Sequence, residues 1–287
     1  MRRAKVVKEE SEQIDTVENL TGAYESVAST RVAKVKSRVE LSKEFFELLW
    51  QRYSSIRLDP NSRITHRSAA KEGAKKVFII ISAEAGLSGD IDQRLIESML
   101  KDYDQATTDI IVLGSPGATQ LQQRGIAYSR FFQVPQSDVY LDVSPIIQAI
   151  EPYSKATIYY EEYISLGVQG VKTIDLISSI QQMSKDAEKR ENIITAQDTI
   201  FEPSLEEIAG IMEEAMMRLA FSQAILESSL AQDASRFNAM ASAKEKAWEL
   251  LNYYKLEYNR ARRSESDRHS REVVVGLKKR KKSRWYQ

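Results

Sequence analysis

The chain has no cysteine and only two histidines, His66 and His269, among its 287 residues. Without cysteine there are no disulfides, thiolate metal sites or cysteine nucleophile, and two histidines this far apart do not suggest a metal cluster. No stretch approaches the roughly 18 consecutive apolar residues that span a bilayer, and the N-terminus lacks the apolar core of a signal peptide. A cytosolic location is expected, with any membrane association coming through a partner. An excess of one charge is also missing: 41 Lys and Arg balance 41 Asp and Glu, so no global field draws in nucleic acid or membrane. Only the ends are basic, MRRAKVVK at the start and KKRKKSR near the finish.

Glycine and proline are nearly absent from two long stretches, and there the sequence is most informative. From Ser11 to about Arg57 there is no proline and one glycine, Gly22, while Ile14, Val17, Leu20, Tyr24 and Val27, then Val32, Val35, Val39, Phe46 and Leu49, recur at helical steps. This predicts a single helix of about 45 residues, near 70 Å at about 1.5 Å per residue, stopped by Asp59-Pro60-Asn61. Pro203 with the box Ser204-x-x-Glu207 predicts a second helix start. Beyond Gly210 neither glycine nor proline recurs before Gly276, and Phe237, Met240, Lys244, Ala247, Leu251, Tyr254, Tyr258 and Ala261 keep a heptad step with one polar exception. A seam of that length needs a partner helix. The comparable helix lies at the other end of the chain, so the two are expected to pair antiparallel; a compact bundle is the alternative.

Between them the pattern changes. Val77 to Ser82 and Ile110 to Leu113 are continuous apolar runs, as in strands buried on both faces, each followed by a helical stretch, near Ile91 to Tyr103 and Ala118 to Arg124. A strand near Ile126 to Val134 and a helix near Ser144 to Ile150 extend this βαβα order. Thr157 to Ile164 and Val171 to Ile177, turned by Gly167-Val-Gln-Gly170, predict an antiparallel hairpin at the edge. QQMSKDAEKRENIITAQD is expected to be a loop.

The stretch ISAEAGLSGDID after the first strand has the look of a phosphate turn. Its spacing is only Gly86-x-x-Gly89, no phosphate-binding glycine motif occurs, and Asp90 at the helix start would repel a phosphate. No acid/base pair, nucleophile or metal constellation emerges, so catalytic, cofactor and metal sites are expected to be absent. The expected divisions are an N-terminal coiled-coil helix over 1–60, an α/β domain over 70–200, a C-terminal coiled-coil helix over 201–277 and a basic tail over 278–287.

Four stretches resemble a known family: NLTGAYESVASTRVAKVKS, IISAEAGLSGDID, FEPSLEEI and ASRFNAMASAKEKAWELLNYYKLEYNRAR. The chain resembles the gamma subunit of F-type ATP synthases, most specifically at Ala234-Ser235-Arg236 and Tyr258-Asn259-Arg260-Ala261-Arg262. The likeness runs from about Glu18 to Leu277 and is faintest from Lys101 to Ile200. It implies a mixed α/β fold, a long antiparallel coiled coil with an inserted Rossmann-like domain that uses no nucleotide. It further implies a non-catalytic rotor coupling ion flow to ATP synthesis or hydrolysis. The implied partners are the alpha and beta subunits of the catalytic ring, the epsilon subunit and the membrane c-subunit ring, without nucleic acid. The implied place is the cytoplasmic face of the plasma or other energy-transducing membrane, peripherally.

By the same resemblance, Arg236 matches the arginine of the family's A-S-R motif, and Arg262 the arginine that engages a beta-subunit loop. Val273, Val274 and Val275 would fill an apolar bearing at the top of the ring. Departures are Arg263 where the family commonly has glutamine, Asp267-Arg268-His269 where it has Thr-x-Glu, and Tyr24 with Ser26 in place of a methionine-rich segment. Tyr24 and Arg263 therefore join Arg236, Arg262 and the three valines as candidate partner contacts. The competing reading is a coiled-coil scaffold or nucleic-acid-binding protein using Lys278 to Arg284 beside Trp285 and Tyr286, where cations meet phosphates and rings stack on bases.

Overall fold

The computed structural model describes residues 3–55, 75–134, 141–175 and 205–283. The chain divides into two compact units, Met1–Val27 with Asn238–Gln287, and Ala28–Phe237. Helix α1 (Ala4–Ser55) opens the chain and α5 (Leu205–Ser283) closes it; each is continuous and contributes to both units.

In the unit formed by the chain ends, α1 and α5 pack antiparallel. The Ala4 amide donates to Glu265 Oε1 at 3.0 Å, and Lys244 Nζ meets Glu25 Oε2 at 2.9 Å. The α5 seam is the expected one: Met240, Ala247, Leu251 and Ala261 are buried, and Lys244, Tyr254 and Tyr258 are half-buried. The α1 stripe requires a correction. Its inward positions are Ala4, Val7, Ser11, Ile14, Glu18, Thr21 and Glu25, an unbroken alternation of three and four. Val17, Leu20, Tyr24 and Val27, expected in the seam, lie one position behind it and are 48% to 53% exposed. The Lys244 stem runs past Gly22, its Cε 3.5 Å from where a Cβ would stand, and its ammonium reaches Glu25. A polar seam is satisfied from within, leaving the apolar row outside.

The second unit, Ala28–Phe237, carries a five-stranded sheet in the order β3-β2-β1-β4-β5. Strands β1 (Lys76–Ile81), β2 (Thr108–Leu113), β3 (Arg130–Phe132) and β4 (Lys155–Tyr163) are parallel, and β5 (Gln169–Asp175) runs antiparallel to β4. Alternate residues of the apolar runs serve opposite faces, as burial on both sides requires. Phe78, Ile80, Ile110 and Val112 pack with α2 (Ile91–Leu100) and α3 (Ser115–Gln123). Val77, Ile79, Ile111 and Leu113 pack with α4 (Ser144–Ile150) and with Phe221, Ala224 and Ile225 of α5. The part of α1 in this unit lies on α5 through Phe46 and Leu49 around Met216.

Several boundaries move. α1 begins at Ala4 rather than Ser11, α3 begins at Ser115 with Pro116 in its first turn, and β3 shrinks to three residues. The hairpin turns at Ser165–Val168, where the Ser165 amide donates to Val168 O at 2.9 Å; Gly170 lies inside β5 opposite Glu162. The helix stop at Asp59-Pro60-Asn61, the cap at Ser204 and the polar segment QQMSKDAEKRENIITAQD lie outside the described residues. No helix among the described residues is long and apolar enough to cross a membrane.

Candidate functional site

The turn after β1 is held by the protein's own side chains. Asp92 in the first turn of α2 accepts the Ala83 amide on Oδ1 and the Ser88 hydroxyl on Oδ2, both at 2.9 Å. A phosphate seeking those donors would meet a carboxylate already bonded to them. Exposed Asp90 caps α2 without a side-chain bond, so Asp92, two residues further on, is the group that closes this turn to an anion.

Arg236 serves the same turn from α5. Its Nη2 donates to Ala85 O at 3.1 Å and its Nε to Gly86 O at 3.3 Å, while Nη1 bonds the Asp233 carboxylate. Ser235 Oγ donates to Ser88 O at 2.6 Å. All three guanidinium nitrogens are thus bonded inside the chain. Burial raises Asp233 from its ordinary value, against the opposing charges of Arg236 and Arg31. The A-S-R motif predicts a partner contact at Arg236, whereas the carbonyls it clamps, Ala85 and Gly86, lie far from it in sequence.

The remaining candidates belong to the other unit. In the unit built from the chain ends, Tyr24, Arg262, Arg263, Val273, Val274 and Val275 are all exposed. Arg262 and Arg263 immediately follow the buried seam residue Ala261. Residues 265–278 of α5 are exposed throughout, beyond the point where Glu265 meets Ala4 at the start of α1. The row formed by Val17, Leu20, Tyr24 and Val27 was legible as apolar but not as outward. Of the basic run, α5 remains helical through Ser283; the side chains from Lys279 onward lie outside the described residues.

A family model described as ATP synthase matches residues 3–278, nearly the whole described fold. The chain belongs to the ATP synthase gamma-chain family. The gamma chain of Clostridium novyi (strain NT) is 23% identical over 279 residues, covering 94% of this chain and 95% of that protein. The gamma chain of Cytophaga hutchinsonii is 25% identical over 292 residues, covering 96% and 98%. The fold is also that of a chain in the rotor of the Euglena gracilis mitochondrial ATP synthase, with a TM-score of 0.64 at 13% identity, covering 91% of this chain and 98% of that one. A chain in the central stalk and c-ring structure of the Tetrahymena thermophila enzyme aligns with a TM-score of 0.55 at 18% identity, covering 78% and 99%. As a member of the gamma-chain family, the protein is the central-stalk subunit of the rotor and is non-catalytic.

Proposed function

We propose that this gamma-family chain turns within a ring of alternating alpha and beta subunits and meets the epsilon subunit and the membrane c ring through its sheet-bearing unit. Ion flow through the membrane ring then drives ATP synthesis, and ATP hydrolysis drives the reverse. The chain works peripherally at the cytoplasmic face of an energy-transducing membrane, held there by its partners. The observation that carries this reading is the exposed row Val17, Leu20, Tyr24 and Val27 on a helix whose inward seam is partly polar. Four outward apolar side chains beside Glu18, Thr21 and Glu25 are unexplained by the pairing with α5 and suit a surrounding protein sleeve. They also make the helix pair different on different sides, as a shaft must be to give unequal nucleotide affinities at successive sites.

Arg262 and Arg263 supply paired cations suited to acidic beta-subunit loops through bidentate bonds, and Val273 to Val275 supply the apolar surface for a bearing. Arg236 acts from within, by fixing the turn after β1. The test is the double replacement Arg262→Ala with Arg263→Ala in the assembled enzyme. We expect ring assembly to be retained and ATP-driven ion pumping to fall relative to hydrolysis, since desolvated charge contacts of this kind are worth about 2 to 5 kcal/mol. Unchanged pumping would remove both arginines from the mechanism.

A further inference from the structure

Glu161 lies in β4 with its side chain fully buried, 0% exposed, and neither carboxylate oxygen has a hydrogen-bond partner among the described residues. An ionised carboxylate here has lost its water and gained no donor in return. From α2 it faces Asp92, which already accepts two hydrogen bonds. From α5 it faces Gln232, whose amide donates to Ser228 Oγ at 2.9 Å, and Arg236, whose nitrogens are committed to Asp233 and the turn. On its own strand Tyr160 donates to Glu227 of α5 at 3.4 Å, and Glu162 pairs with Lys172 of β5 at 2.9 Å. The residue opposite Glu161 in β5 is apolar Val171. The nearby α1 cations face other acids: Arg31 acts on Asp233, and Lys43 lies 3.9 Å from Glu227.

Two neighbouring acids therefore stand in one water-poor site, one with two donors and the other with none. That difference decides which keeps a proton. Burial pushes Glu161 well above the usual carboxylate range and the Asp92 charge pushes the same way, against smaller opposing effects of Gln232 and Arg236. We propose that Glu161 is a neutral carboxylic acid in the folded protein, donating its proton in a hydrogen bond to Asp92, and that this pair is a proton-dependent lock seating the turn after β1 on α5.

The lock follows from what Asp92 holds. It bonds both limbs of the turn, at Ala83 and Ser88, while α5 grips the same segment through Ser235 and Arg236. Loss of the Glu161 proton places two negative charges side by side without water and loosens that seat. Because the folded state raises this acid, native protein keeps a proton that unfolded chain releases above the ordinary glutamate range. Stability is therefore highest at low pH within this linkage and falls as pH rises toward the native titration.

Thermal unfolding of the full-length chain and of Glu161→Gln, between about pH 5 and pH 9, tests this. Glutamine keeps a donor for Asp92 and cannot ionise. The wild type is expected to lose about 4 °C or more relative to the variant by the alkaline end, with the difference closing at the acid end. A difference of constant size at every pH would mean that Glu161 matters only for packing and would overturn the proposal. Infrared spectra of the wild type at neutral pH give a reading independent of the variant's folding. A protonated-carboxyl carbonyl band is expected, because exposed acids are ionised there, and its absence would also overturn the proposal.

Discussion

Gly114, the residue after β2, is held at φ +94°, and a Cβ there would fall 2.6 Å from both the carbonyl oxygen and Oγ of Ser82. The strain and the clash act together, so Gly114→Ala is expected to cost about 2 to 4 kcal/mol, read as a lower denaturation midpoint. Gly86 has nothing among the described residues within 4 Å of an added Cβ, and Gly86→Ala should change stability by less than about 0.5 kcal/mol. Arg236 differs from a solvated helix arginine, because its side chain is 12% exposed and its partner Asp233 5%. Removing it takes from a buried acid its hydrogen-bonded cation and leaves Arg31 as the remaining opposing charge, so Arg236→Ala should cost about 3 to 5 kcal/mol. The sign with pH is fixed by the acid. Asp233 is already raised by burial, and without the guanidinium it rises further, so the penalty is fullest above its folded titration and shrinks as pH falls through it. A penalty that is equal from acid to alkaline conditions would mean that Arg236 contributes by packing alone.

At the scale of the element, the α1–α5 pairing depends on a row of positions rather than on total hydrophobicity. Leu251 is buried in the seam and its neighbour Leu250 is 49% exposed. Leu251→Ala should cost about 2 to 4 kcal/mol, while Leu250→Ala stays within about 0.5 kcal/mol. Equal effects from chemical denaturation would show that the seam is misplaced. The row Val17, Leu20, Tyr24 and Val27 shows the limit of periodicity as a signal. It has the same steps as the true seam and is more apolar, so composition favours it over Glu18, Thr21 and Glu25. What reverses the choice is the partner: Lys244 of α5 satisfies Glu25. On α5 the expected seam and the observed one coincide.

For the whole molecule, the closed turn and the family together imply a chain that does no nucleotide chemistry of its own. Calorimetry on the full-length subunit should show no ATP binding at micromolar concentrations, since Asp92 occupies the amide that a phosphate would need. Micromolar affinity would contradict the account of that turn. The basic run from Lys278 onward cannot enter an apolar bearing without a desolvation cost of several kcal/mol per charge. Truncation after Leu277 should therefore leave assembly and ATP hydrolysis intact, and loss of ring assembly in the purified complex would place those charges inside the contact.

The elements and their order are legible in the chain's local patterns: two terminal helices, doubly buried strands separated by helices, an edge hairpin and the α5 seam. These are local properties, written as periodicity, as apolar runs and as the absence of glycine and proline. The motif Ala234-Ser235-Arg236 was legible, but its intramolecular job was not, because Gly86 and Arg236 are far apart in sequence. Glu161 was equally hidden. Two adjacent glutamates in the strand segment YYEEY must face opposite ways, yet which one is buried, and beside what, depends on where α2 and α5 cross the sheet. Packing between distant elements sets which apolar row faces inward, which acid closes the turn and which carboxyl is left without donors among the described residues. Each of those outcomes is set by desolvation and by donors arriving from distant elements, quantities that no local stretch of sequence contains.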